Sequence, residues 1–114
     1  MVNKLIKNKE IIKEKERLQN IFEDIDENKR DFVSHQIDNL AWLNIASKEL
    51  MDSIDRDGTK CEYNNGGGQG GVKDNPDIKT LIAYQKNVTS ITKQLLELVP
   101  KKSKSKFMEF LDEN

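Results

Sequence analysis

Asp55-Arg56-Asp57-Gly58-Thr59-Lys60-Cys61-Glu62-Tyr63-Asn64-Asn65-Gly66-Gly67-Gly68-Gln69-Gly70-Gly71-Val72-Lys73-Asp74-Asn75-Pro76 is the stretch on which the fold turns. All six glycines of the chain lie inside it, and Pro76 closes it. The only other proline is Pro100, so nothing else in the 114 residues breaks a helix strongly. The chain on either side therefore reads as two helical blocks joined by one interruption.

Upstream of Gly58, Val33, Ile37, Leu40, Asn44, Ser47, Met51 and Ile54 recur at alternating steps of four and three. That is the spacing of one helical face. Phe32, Leu43, Ala46 and Leu50 widen the stripe. The pattern predicts a helix over residues 29–56, stopped by Gly58 as the left-handed residue past its end. Asn44 and Ser47 are polar on this seam, where a polar residue sets register or oligomer state at some cost in stability.

Downstream, Asn75 is the expected cap of the last long helix and Pro76 its first residue. Leu81, Tyr84, Val88, Ile91, Leu95 and Leu98 make the cleanest heptad in the chain, broadened by Ile78, Ile82 and Val99. Pro100 ends it. Each stripe must bury against something, and facing them gives an antiparallel hairpin. Leu40, Asn44, Met51, Leu81, Tyr84, Val88, Ile91 and Leu95 are the expected helix-packing or oligomer contacts.

Inside the break, residues 59–63 alternate weakly and can pair with residues 71–73 as a short β-hairpin turning over 64–70. As a bare pattern, the glycine run reads more readily as a flexible connector. It lacks the Lys-Ser/Thr of a phosphate loop and the strand–helix unit around it.

The ends complete an all-α expectation. Residues 3–26 carry Ile11, Leu18, Ile21, Phe22 and Ile25 at helical spacing. A bend is expected near residues 26–29, with Asp26 or Asn28 as a cap. After Pro100 comes a basic linker, Lys101-Lys102-Ser103-Lys104-Ser105-Lys106, and then Phe107, Phe110 and Leu111 on one face. That cluster either folds back onto the domain or docks on a partner as a helix in a groove. The organisation is thus an N-terminal helix (1–26), a hairpin core (27–100) with its loop at 57–75, and a basic linker with an amphipathic tail (101–114).

Charged residues make up 34% and hydrophobic residues 35%, which suits exposed helices with narrow apolar stripes that draw part of their stability from a partner. Residues 1–20 hold six basic and three acidic side chains, while residues 21–60 hold five and ten. Affinity for phosphates would sit at the ends of the chain. Cys61 is the only cysteine, so no internal disulfide forms. No apolar run approaches the ~20 residues of a membrane span, and the first residues lack a signal peptide's apolar core. A cytosolic protein is expected. His35 and Cys61 are too few for a zinc site, the acidic residues 23–31 lack the glycine and final glutamate of a calcium loop, and Trp42 is expected in packing. No catalytic constellation, metal site or cofactor is expected.

Phe32-Val33, Ile37-Asp38-Asn39-Leu40-Ala41-Trp42, Leu50, Glu62-Tyr63-Asn64-Asn65-Gly66-Gly67-Gly68-Gln69, Asn75-Pro76 and Lys93-Gln94-Leu95-Leu96-Glu97-Leu98-Val99-Pro100 follow one another in an ordered combination. This combination resembles the small terminase subunits of tailed phages and prophages of Gram-positive bacteria, over about two thirds of the chain. In them a helix, a Tyr-x-Asn-Gly-type loop with Gln, and a helix ending in Leu-Pro come in this order. The N-terminal part departs from the pattern in showing no clear helix-turn-helix. The resemblance implies a non-enzymatic protein of the host-cell cytoplasm. It would form a homo-oligomeric ring, bind viral double-stranded DNA and hand it to the large terminase subunit. Lys4, Lys7, Lys9, Lys13, Lys15 and Arg17 are then the expected phosphate contacts, and Phe107, Phe110 and Leu111 the expected contact to the large subunit. The rival expectation is a coiled-coil adaptor with no DNA role.

Overall fold

The computed structural model describes residues 8–64, 66–68 and 70–113. Four helices and one two-stranded sheet account for them: α1 (Asn8–Ile21), α2 (Arg30–Asp57), β1 (Lys60–Asn64), β2 (Gly70–Asp74), α3 (Pro76–Leu98) and α4 (Lys104–Glu113). The fold is predominantly helical, 79% of it. Short 3₁₀ turns at Glu27–Lys29 and Lys101–Ser103 lead into α2 and α4.

Helices α2 and α3 form the expected antiparallel hairpin. Its two ends are fixed by polar contacts: Gln36 of α2 donates to Gln94 of α3, and Ser53 Oγ donates to Asp77 Oδ2 at 3.1 Å. At ~1.5 Å per residue the two helices are roughly 42 and 35 Å long. The molecule measures 62 × 27 × 22 Å. Its radius of gyration is 17.9 Å, against about 13 Å for a compact chain of this length.

Helix α1 lies against the other side of α2 and covers only the half nearest the termini of the hairpin. Leu18, Phe22, Val33, Ile37, Leu40, Leu95, Phe107 and Phe110 bury there in one core. Phe22 meets Phe107 edge to face, with ring centroids 5.3 Å apart. We call this the proximal end. Toward the distal end, Leu50, Ile54, Ile78, Leu81, Tyr84 and Val88 are only half-buried, and Met51 and Ile82 are exposed. Among the described residues, no third helix accompanies α2 and α3 past about residue 50.

One sequence expectation changes, and two alternatives left open by the sequence resolve. First, α1 ends at Ile21, not at residue 26, and the chain turns over residues 22–26. The apolar pattern continues because Phe22 and Ile25 are themselves core residues, 2% and 8% exposed. Burying them while reversing the chain requires leaving the helix. Asp26 precedes the 3₁₀ turn without a capping side-chain bond, and Asn28 lies within it.

Second, of the two readings of the glycine run, the antiparallel hairpin holds and the flexible connector does not, with strands over 60–64 and 70–74 instead of 59–63 and 71–73. Five pairs run from Lys60↔Asp74 to Asn64↔Gly70. Gly66, Gly67 and Gly68 take φ of +82°, +57° and +79° in succession. Only glycine holds three consecutive residues there without steric cost. The neck is tied by Asn75. Its backbone N–H donates to Thr59 O at 2.9 Å, its Nδ2 donates to Gly58 O at 2.9 Å, and its Oδ1 caps α3 by accepting from Asp77 N–H at 3.0 Å.

Third, the tail folds back. Phe107 and Phe110 are 0% and 2% exposed, and Leu111 is half-buried against the same core. These rings fill the proximal end and are not presented for a partner to grip.

Candidate interaction surface

The expected phosphate contacts fall into three groups. Lys4 and Lys7 lie outside the described residues. Lys9 and Lys13 are exposed on α1. Lys15 and Arg17 are partly compensated within the chain. Lys15 pairs with Asp38 of α2 at 3.0 Å. Arg17 pairs with Glu14 at 2.9 Å, reaches Glu113 of α4, and lays its guanidinium 4.8 Å from the Phe110 ring centroid. Arg17 therefore joins α1 to α4. An exposed pair of this kind is worth about 0–1 kcal/mol and does not bar a competing phosphate.

Glu14 was not expected as a structural residue, yet it is 6% exposed. Its Oε2 accepts a 3.4 Å bond from Asn44 Nδ2, and its Oε1 accepts from Arg17. The polar position on the α2 seam is thus satisfied within one chain, by a carboxylate from α1. The signal was present: Ile11, Glu14, Leu18, Ile21 and Ile25 form one heptad row, in which Glu14 is the polar member. Ser47 is buried on the same seam, and its hydroxyl has no hydrogen-bond partner among the described residues.

Of the remaining packing residues, Leu40, Ile91 and Leu95 are buried. Leu81, Tyr84 and Val88 are half-buried, and Met51 is 41% exposed. The α3 stripe is one continuous heptad in sequence but is closed only at its proximal end.

Trp42 departs from expectation: it leaves 42% of its surface exposed, with its ring edge-to-face on Tyr84 at 5.5 Å. It borders a groove of about 440 Å³ between α2 and α3, lined by Gln36, Asn39, Asn87, Ser90 and Gln94. None of these side chains is charged. Lys86 and Lys93 stand exposed on α3 beside the groove, and Lys79 continues their heptad row toward the β-hairpin.

The chemistry-bearing residues do not converge. His35 is on the first turns of α2 and Cys61 is beyond that helix's far end, more than ~30 Å away along the axis. Cys61 is half-buried, and its thiol faces the Asp74 carbonyl at 3.9 Å. Among the described residues no three His, Cys, Asp or Glu side chains gather to hold a metal ion. Two surface groups shift their titration. The hydrogen bond and positive charge of Lys60 hold the Asp74 carboxyl below its ordinary range. The Asp24 carboxylate, by hydrogen bond and charge, raises Lys102. Both pairs are tethers, at the hairpin base and between the linker and the α1–α2 turn. No described helix is long and apolar enough to cross a membrane.

Comparison of the chain with protein-family models, with curated proteins and with solved structures found no match.

Proposed function

We propose that the chain is a non-catalytic subunit of a phage DNA-packaging motor, similar to terminase small subunits. In this reading it works in the host cytoplasm as a homo-oligomer that binds viral DNA and engages the large subunit. Two things support the reading. One is the ordered resemblance across residues 31–100. The other, which carries it, is the half-covered apolar stripe at the distal end of the hairpin. Leu50, Met51, Ile54, Leu81, Ile82 and Tyr84 leave apolar surface open along both helices. Apolar side chains left open side by side on two helices are the kind of surface on which another chain docks. A second copy supplies an identical stripe, and closed symmetry is the common outcome of such self-pairing.

The test is native mass spectrometry of the intact chain beside Met51→Glu/Leu81→Glu. A discrete oligomer that falls to monomer in the variant, with helical content retained, is expected. A monomer at every concentration sinks the assembly claim. DNA binding is read separately by gel shift with duplex DNA, and the affinity should fall as salt rises. Lys9→Glu/Lys13→Glu should weaken it.

The open distal stripe serves equally an adaptor with no DNA role. An oligomer that ignores duplex DNA at low salt would decide for that reading.

A further inference from the structure

Two aromatic side chains on α2 stand largely open to solvent, Trp42 with one side of its ring against Tyr84. Phe32 is 49% exposed and Trp42 is 42% exposed. They belong to one ridge, Phe32, His35, Asn39, Trp42, at steps of three, four and three, and His35 and Asn39 are also exposed. Such steps keep side chains on one helical face, so three rings and an amide line up along roughly 15 Å of α2. Across the groove, α3 presents Asn87, Ser90 and Gln94, and Gln36 bonds Gln94 between the walls. The outer edge of α3 carries Lys79, Lys86 and Lys93, about 10.5 Å apart, with no ion pair to a described carboxylate. No acidic residue lines the groove. Asp31 and Asp38 stand exposed on α2 one turn from His35 and Trp42, Asp38 paired with Lys15, and Glu49 and Glu97 lie beyond the two ends of the groove along α2 and α3.

We infer that this groove binds a short run of unpaired nucleotides. The chemistry of the three rows divides accordingly. The Phe32, His35 and Trp42 rings offer faces on which bases stack, an interaction every base can make. The Asn39, Asn87 and Gln94 amides offer the paired donor and acceptor that base edges recognise. The lysine row neutralises phosphates along one side. A duplex can meet the lysines but not the rings, because its bases are stacked on each other and their edges are engaged. The inference rests on the proposed role only in that the chain meets nucleic acid; it requires neither an oligomer nor α1.

Trp42 is the only tryptophan of the chain, so its fluorescence reports the groove directly. The experiment titrates the full chain with an oligothymidylate of about 20 nucleotides, and in parallel with a duplex of the same length. Quenching of Trp42 by the single strand, weakening as salt rises, is expected, with little quenching by the duplex. Lys86→Glu/Lys93→Glu, at exposed positions, should weaken single-strand binding about tenfold or more. Trp42→Leu should weaken it in an anisotropy titration, where no tryptophan signal is needed. No quenching at low salt overturns the inference. So does equal quenching by the duplex, or binding that is indifferent to the α3 lysines but lost in Lys9→Glu/Lys13→Glu. Failure here with self-assembly and duplex binding intact removes this inference and leaves the packaging role standing. Failure of all three removes both.

Discussion

The two ends of the α2–α3 hairpin carry the same kind of apolar stripe and treat it differently. At the proximal end α1, α2, α3 and α4 meet, and Leu18, Leu40, Leu95 and Phe107 are fully buried. At the distal end two helices lie side by side below a β-hairpin, and of their stripe residues past Ser47 and before Ile91 none is fully buried. Two antiparallel helices bury only the facing edge of each stripe. A third and fourth helix are needed to close the rest. The proximal end supplies them from its own chain; at the distal end no described residue does, and the proposed function assigns the place to a second copy.

The largest contrast lies in core truncation. Phe107→Ala should cost about 3–5 kcal/mol, because the ring is fully buried between Phe22 and Phe110. Met51→Ser in the isolated chain should stay within about 0.5 kcal/mol, as expected of an exposed position. Equal costs in chemical denaturation would erase the distinction between the ends. Next in size is the buried carboxylate. Glu14→Ala should cost about 1–3 kcal/mol, since it strands the Asn44 amide inside the α1–α2 interface. Unchanged stability in the same assay would mean that the proximal register is set by apolar packing alone. Smaller still is the distal neck. Asn75→Ala should cost about 1 kcal/mol through the lost α3 cap. It should also speed amide exchange in β1 and β2 without affecting α1. Exchange that quickens everywhere would show the hairpin to be coupled to the core.

Much of this division was legible in the residues. The heptads around Leu40 and Leu95, the stop at Gly58 and the Asn75-Pro76 start are local signals, and each stands where its chemistry demands. What was not legible depended on contacts between distant parts of the chain. Asn44 read as a seam residue setting register or oligomer state and Glu14 did not stand out at all; their meeting across the α1–α2 interface gives each its partner. Whether Phe107 and Phe110 turn inward depends on the space left by Phe22 and Ile25 after the chain bends. The glycine run read more readily as a linker than as a hairpin because the alternation of residues 59–63 is weak and the turn rests on the positive φ of Gly66, Gly67 and Gly68, which glycines leave unspecified. The groove beside Trp42 was hidden for the same reason: its walls belong to α2 and α3, about 50 residues apart.

Native-state hydrogen exchange measures both ends of the hairpin in one experiment. In dilute protein, amides of α2 and α3 around Ile37, Leu40, Ile91 and Leu95 should exchange only through global unfolding. Those around Ile54 and Leu81 should open far more readily and gain protection as concentration rises. Uniform protection along both helices, independent of concentration, would contradict a distal end built to be completed by another chain.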